Sequence, residues 1–365
     1  MKYNINHIDG LFFEIVDDNG KNKEYTVTFL DENKKVMYET KLKPKGWARL
    51  QRKYLSDITI IIKHENGIPL KEIKLLDEIM GKKIFISFES KSLGDTLAWM
   101  PYCLEFKNKY KCRVVVSTFN NDLFENVYPE IQFVGRGKVV HELFGMFWIG
   151  WFWEKGREPA HPATIPLQQS ATNILNLPFE EIIPRIDFKP KERPMVDRYV
   201  VIATHSTSQL KYWYYWQEVI DWLVDKGYKV VEMSLQPVDF KNLTVIEDKS
   251  MKNTMNVIYY SDFFIGLSSG LSWLAWALNK EVIMISNFTE DGHEFTNKCI
   301  RINDTSICNS CWNNPLFKFD KGSWFYCPEH EGTSRQFECH KEIKADKVIE
   351  AIDKITTKLS LPLVD

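Results

Sequence analysis

Between residues 10 and 75 the chain sets short apolar runs, LFFEIV, EYTVTFL, KVMYETKL and DITIIIKH, between the polar stretches DDNGKN, DENK and HENG. Apolar positions recurring every second residue and bounded by Asn, Asp and Gly predict antiparallel hairpins, because side chains alternate faces along a strand. From Gly81 the pattern changes. KKIFISFE is a continuous apolar run, DTLAWMPYCLEFKNKY has helical spacing and CRVVVST is again unbroken, which predicts β-α-β around a parallel sheet covered on both faces. KPKERPMVD, with three like charges and two prolines, reads as a linker. RYVVIATHS, KYWYYWQEVIDWLVDKG, YKVVEMS, MNVIYYSDFFIGLSSGLSWLAWALNK and EVIMIS then repeat the alternation and predict a second doubly wound lobe. Finally, KADKVIEAIDKITTKL places Val348, Ile349, Ile352 and Ile355 on one side of a helix from about Lys344 to Lys358.

The expected organisation is an α/β chain with an N-terminal antiparallel β module over 1–78 and Rossmann-like lobes over 79–190 and 191–300. A cysteine-bearing insert over 301–342 and a C-terminal helix and tail over 343–365 complete it. The length of 365 residues, with 44% hydrophobic and 14% aromatic residues, supports more than one core. A net charge of -2 lacks the excess of Lys and Arg that a nucleic-acid partner demands. The longest apolar runs are strand-length, short of the roughly 20 residues of a membrane span. MKYNINHIDGLFFEIVDDNG has no basic segment leading into an apolar core, so a cytoplasmic protein without a signal peptide is expected. Seven cysteines in such a compartment do not predict a disulfide framework.

Three strand-to-helix turns carry candidate chemistry. In SKSLGDTLAWMPY, Gly94 allows a tight turn and Asp95 falls at the expected helix cap, either simply capping the helix or serving as a general base at a strand end. In ATHSTSQLKYWYYW, Ser206, Thr207, Ser208 and Lys211 supply hydroxyls, backbone N–H groups and one cation, a set that suits phosphate. In DFFIGLSSGLSWLAWALNK, Ser268, Ser269 and Gly270 open an apolar helix whose start can receive a diphosphate; the plainer reading is small-residue packing on a sheet.

The cysteines Cys308, Cys311, Cys327 and Cys339 are spaced C-x2-C, fifteen residues, C, eleven residues, C. Four thiolates can build a tetrahedral site in a segment rich in turn formers, holding zinc by default or iron in an equivalent S4 set. A redox C-x-x-C would need a thioredoxin-like unit, which is not apparent. His330 and His340 could substitute as ligands but read as surface histidines, and Cys103, Cys112 and Cys299 as packing residues. HELFGMFWIGWFWEKG, residues 141 to 156, reads as a packed helix or subunit contact, or else as an acceptor-side flap built on Phe144, Phe147, Trp148, Trp151, Phe152 and Trp153.

Taken in order, the three turns resemble the ADP-heptose:acceptor heptosyltransferases, which are GT-B glycosyltransferases. The family's Gly-Asp turn with its catalytic Asp matches Gly94 and Asp95, its Lys-x-Trp segment matches Lys211 to Trp213, and its Asp-Thr-Gly-x-x-His pattern matches Ser268 to Trp273. Ser268 and Trp273 thus replace the usual Asp and His. The SSGLSW variant and the cysteines are similar to the autotransporter heptosyltransferase branch. That resemblance implies a GT-B fold and inverting transfer of heptose from ADP-heptose to serine hydroxyls of an autotransporter adhesin. It further implies Asp95 as base, and Ser206, Thr207, Lys211, Ser268, Ser269 and Gly270 at the donor. One structural iron per chain on the four cysteines, a homo-oligomer, and a terminal helix returning to the first lobe are also implied. Readings left open are a glycan or lipid acceptor and a non-catalytic assembly scaffold.

Overall fold

The computed structural model describes residues 1–17, 23–317, 319 and 327–360. Two compact units divide it, one comprising residues 1–91, 99–162 and 168–180, the other residues 92–98, 163–167 and those from 181 onward.

In the first unit seven antiparallel strands come first: β1 (Lys2–Asn6), β2 (Leu11–Asp17), β3 (Tyr25–Leu30), β4 (Val36–Leu42), β5 (Trp47–Leu50), β6 (Thr59–His64) and β7 (Pro69–Lys74). They form two sheets, ordered β1-β2-β5 and β4-β3-β6-β7. The alternation seen in the sequence supplies their core: Leu11, Phe13 and Ile15 of β2, Val27 and Phe29 of β3, and Ile60 and Ile62 of β6 are fully buried. Phe13 meets Phe29 edge-on at 6.4 Å between ring centroids, so the two sheets share one apolar interior.

The same unit continues with β8 (Lys83–Phe88), α1 (Leu93–Tyr110) from Trp99 onward, β9 (Arg113–Ser117), β10 (Gln132–Phe133), β11 (Gly145–Ile149) and α2 (Leu167–Leu175) from Gln168 onward, while residues 93–98 of α1 belong to the second. The four strands make a parallel sheet ordered β10-β9-β8-β11. β11 corrects the expectation of a packed helix across residues 141–156. Gly145, Phe147 and Ile149 are buried while Met146 is half-buried and Trp148 exposed, a period of two. Aromatic residues at 144, 147, 148 and 151 imitate helical spacing, but pairing with β8 satisfies the backbone and wins. The backbone of His7 binds this strand: Phe144 O accepts from His7 N at 2.6 Å, and Met146 N donates to His7 O at 2.9 Å.

The second unit holds β12 (Tyr199–Ala203), α3 (Trp216–Asp225), β13 (Lys229–Glu232), β14 (Leu243–Thr244), α4 (Met251–Tyr260), β15 (Phe264–Leu267), α5 (Gly270–Ala277), β16 (Val282–Ile285), β17 (Cys299–Ile302), α6 (Glu338–Lys341) and α7 (Ala345–Ser360). All its strands are parallel, in the order β14-β13-β12-β15-β16-β17. Numbered from the first, this is 3-2-1-4-5-6, the doubly wound order whose direction reverses between β12 and β15. Both strands are buried along their full length, as continuous apolar runs predict.

α3 and α7 cover one face, where Val219, Ile220 and Leu223 meet Val348, Ile352 and Ile355 over Val200, Ile202 and Ile265. α5 lies on the other face, close enough that a Cβ on Gly266 would come within 2.9 Å of the Ser272 hydroxyl. The terminal helix therefore packs, over its described residues, on the second unit; the expected return to the first is not what its apolar face does. Trp213, just before α3, and Trp216, its first residue, complete the pocket that takes it.

Candidate active site

α1 follows β8 after a short turn. Ser92 caps it: Asp95 N donates to Ser92 Oγ at 3.4 Å and Thr96 N to Ser92 O at 3.2 Å. Asp95 thus lies inside the first turn instead of at the cap, 7% exposed, where the positive end of the helix dipole favours its carboxylate. This turn packs against the start of α5. A Cβ on Gly94 would stand 2.9 Å from Trp273 Cδ1, and one on Gly270 would stand 3.1 Å from Leu93 Cβ. Two glycines are what let these two helix starts approach so closely.

Lys211 ends a short 3-10 turn, Gln209–Lys211, that follows β12. Its ammonium donates to the Ser268 carbonyl at 2.7 Å and Ser268 Oγ at 3.4 Å, which places a cation at the foot of α5. Burial lowers its pKa, and the charges of Glu294 and then Asp95 offset part of that shift, so Lys211 and Asp95 belong to one electrostatic site. Ser268 Oγ in turn donates to Glu294. Glu294 accepts from Arg301 at 2.5 Å and from Thr289 Oγ1 at 3.0 Å, and Arg301 also donates to Thr289 O at 2.6 Å and Ser286 Oγ at 3.1 Å. Burial alone would raise the Glu294 carboxyl, but Arg301, His293 and Lys211 together with the Ser268 bond hold it down at about 2.

The carboxyl ends of β12 and β15 flank the reversal in strand order, the place where doubly wound sheets take their ligands. Lys211 and the Ser268–Gly270 helix start meet there, because β12 and β15 are neighbours in the sheet. Ser206 closes its own turn, accepting from Ser208 N at 3.2 Å and donating to Ser208 O at 2.8 Å; Thr207 is exposed. Ser269 precedes α5 with its Oγ buried and, among the described residues, without a hydrogen-bond partner.

Sequence reading missed Glu232, Glu294 and Arg301. Glu232, at the end of β13, accepts from Thr204 Oγ1 at 3.1 Å and Ser234 N at 2.9 Å and pairs with Lys249 at 3.4 Å. Glu294 looks like any loop carboxylate in TEDGHEF. Arg301 offered a signal, since a guanidinium inside the strand CIRI must find a buried partner.

The segment after β17 brings its cysteines together in part. All four are free thiols, Cys311 and Cys327 buried. Burial raises the pKa values of Cys308, Cys311 and Cys339, the last to about 12, and the neighbouring thiols raise them further. Cys308 and Cys311 share a hydrogen bond. Among the described residues no three ligands stand together as a metal-holding group, although the donor set suits a tetrahedral site. The segment is also less bare of apolar contacts than expected: Cys311, Cys327 and Phe337 cluster with Leu210 and Phe288, and Trp312, Phe317 and Phe319 pack on them. His340 is buried, not a surface residue, and bonds the Leu210 carbonyl through Nε2. Cys103, Cys112 and Cys299 lie in α1, just before β9 and in the edge strand β17.

Residues 167–324 match the model of glycosyltransferase family 9 (heptosyltransferase), a span that includes Lys211, Ser268, Glu294 and Arg301. The chain is 31% identical to the autotransporter heptosyltransferase TibC of Escherichia coli O78:H11, over 87% of this chain and 82% of that one. It belongs to the autotransporter heptosyltransferase family. Within that family it is also 29% identical to Aah of Escherichia coli, over 92% and 90% of the two chains. The crystal structure of TibC, an iron-containing dodecameric glycosyltransferase, matches with a TM-score of 0.83 at 29% identity, covering 98% of this chain and 96% of that one. TibC has also been solved with ADP-D-beta-D-heptose, again at a TM-score of 0.83. This likeness bears out an α/β, GT-B-like fold. BimC of Burkholderia thailandensis, 29% identical over 77% of this chain and 71% of that one, is an inactive autotransporter heptosyltransferase. Among the described residues no helix is long and apolar enough to cross a membrane.

Proposed function

We propose that this heptosyltransferase moves heptose from ADP-heptose to serine hydroxyls of a bacterial autotransporter adhesin, with inversion at the anomeric carbon. Asp95 takes the serine proton as the serine oxygen bonds to the anomeric carbon; the bond from that carbon to the diphosphate breaks, and ADP leaves with the electron pair. Lys211 and the start of α5, with Ser268, Ser269 and Gly270, meet the charge that grows on the diphosphate, while Ser206 and Thr207 line the donor turn. The observation that carries this reading is the close packing of the Asp95 turn on the start of α5, with Lys211 bonded to Ser268 beside it. Proximity of base and leaving-group cation is what a single displacement requires.

Cys308, Cys311, Cys327 and Cys339 would hold one iron per chain, with zinc the other ion this donor set accepts. A site closed by four thiolates has no place for substrate, so the metal's role is structural. TibC, iron-containing and dodecameric, supports both the iron and a homo-oligomer for this chain.

BimC favours a second reading, a family member that assembles without catalysing. Intact-mass measurement of an autotransporter passenger incubated with enzyme and ADP-heptose separates the two. A heptose increment on serine is expected, lost at least a thousandfold in Asp95→Asn while ADP affinity stays within about twofold. Unmodified passenger together with labelled lipopolysaccharide core would move the acceptor to a glycan, and no transfer to either would favour the scaffold.

A further inference from the structure

The cysteine segment grips the residues that carry Lys211 from two directions. From one side His340, which follows Cys339, donates through its buried imidazole to the carbonyl of Leu210, the residue before Lys211. The Leu210 side chain shares an apolar cluster with Cys311, Cys327 and Phe337. From the other side, Ser310 N donates to Asn287 O at 2.6 Å and Trp312 N to Phe288 O at 3.0 Å. The Phe288 ring packs at a tilt against Trp312, 5.7 Å between centroids, and lies 5.4 Å beneath the Lys211 ammonium. Both the backbone that bears Lys211 and the ring its ammonium rests on are therefore anchored within a residue of Cys311 or Cys339.

We propose that the cysteine segment is a positioning device for Lys211, with His340 the positioning residue, so that donor binding and the contacts of His340 and Trp312 with the Lys211 loop and Phe288 reinforce each other. This rests on the reading of Lys211 as a diphosphate ligand. A flexible lysine loses rotamer entropy each time it engages a phosphate, and a fixed backbone with a packed stem removes part of that cost beforehand. Coupling of this kind is reciprocal: if an ordered segment improves ADP binding, ADP must order the segment.

The test is deuterium labelling of the backbone amides of residues 308–316 and 336–341 in the purified full-length protein, followed by peptide mass spectrometry with and without saturating ADP, alongside calorimetric ADP affinity. In wild type ADP is expected to slow labelling about fivefold or more. His340→Gln, whose amide can still donate to Leu210, keeps this effect. His340→Phe loses it and binds ADP about tenfold more weakly. Wild-type labelling that ADP leaves untouched overturns the proposal, and this comparison needs no variant to fold. So does His340→Phe binding ADP as tightly as wild type while Lys211→Ala binds it weakly, a pattern that leaves the Lys211 reading standing. If Lys211→Ala binds ADP like wild type, the Lys211 reading falls first and the coupling with it.

Discussion

Glu294 shows how much of the site is decided by a residue with no sequence signature. It lies in a loop after β16, yet it is the acceptor around which Ser268, Thr289 and Arg301 arrange themselves. Its carboxyl sits near 2 against an ordinary 4.5, so the folded state binds a proton less readily than the unfolded chain. The stabilisation this gives is fully present above about pH 4.5 and is lost as pH falls from there toward 2; the shift corresponds to something on the order of 3 kcal/mol. Glu294→Gln keeps the shape but not the charge, so its urea midpoint should fall below wild type at pH 7 and the gap should narrow by pH 3. A gap equally wide at both pH values would mean that the Arg301 pair contributes nothing through ionisation. Glu294→Ala, which leaves Arg301 buried beside an empty site, should cost more, about 3–5 kcal/mol.

Elements were legible where periodicity was clean and misread where composition imitated another period. The helix expected from Lys344 to Lys358 is found at Ala345–Ser360 because its apolar stripe recurs every three to four residues. β11 was hidden by aromatic residues that fit helical and strand spacing at once. The contact between α1 and α5 was not legible, since Gly94 read as a tight turn and Gly270 as room for a diphosphate, and it permits a sharp test. Alanine at Gly94 would ordinarily gain about 1 kcal/mol of helix propensity. Here its Cβ would lie 2.9 Å from Trp273 Cδ1, and the indole cannot retreat, held by Trp276 at 5.5 Å and Phe295 at 5.0 Å. Overpacking of this kind costs about 1–3 kcal/mol, enough to reverse the sign. Gly94→Ala should therefore melt lower than wild type and transfer more slowly; a rise in melting temperature would show that the two helix starts are not in contact.

In the whole molecule the second unit's strand order turns two separate motifs, those of Lys211 and Ser268, into one place. Sequence reading could put Lys211 and Ser268 each after a buried strand, but the 3-2-1-4-5-6 order is what makes β12 and β15 neighbours, and that order is a property of the fold, not of either segment. The same holds for His340 and Leu210, 130 positions apart in sequence, whose meeting no local pattern announces. If the donor groups are those named above, ADP has its contacts in the second unit, whose members include the Asp95 turn. A ligand at about a hundred times its Kd adds roughly 2.7 kcal/mol to the state that binds it. Local openings that break the site are suppressed in proportion, and amides whose exchange needs no such opening are unaffected. Hydrogen exchange followed by mass spectrometry should accordingly show ADP slowing residues 204–213, 266–276 and 286–302, with exchange in β1 to β7 unchanged. Protection spread evenly over β1 to β7, or missing from 204–213, would place the nucleotide elsewhere and separate the reversal point of this sheet from the chemistry assigned to it.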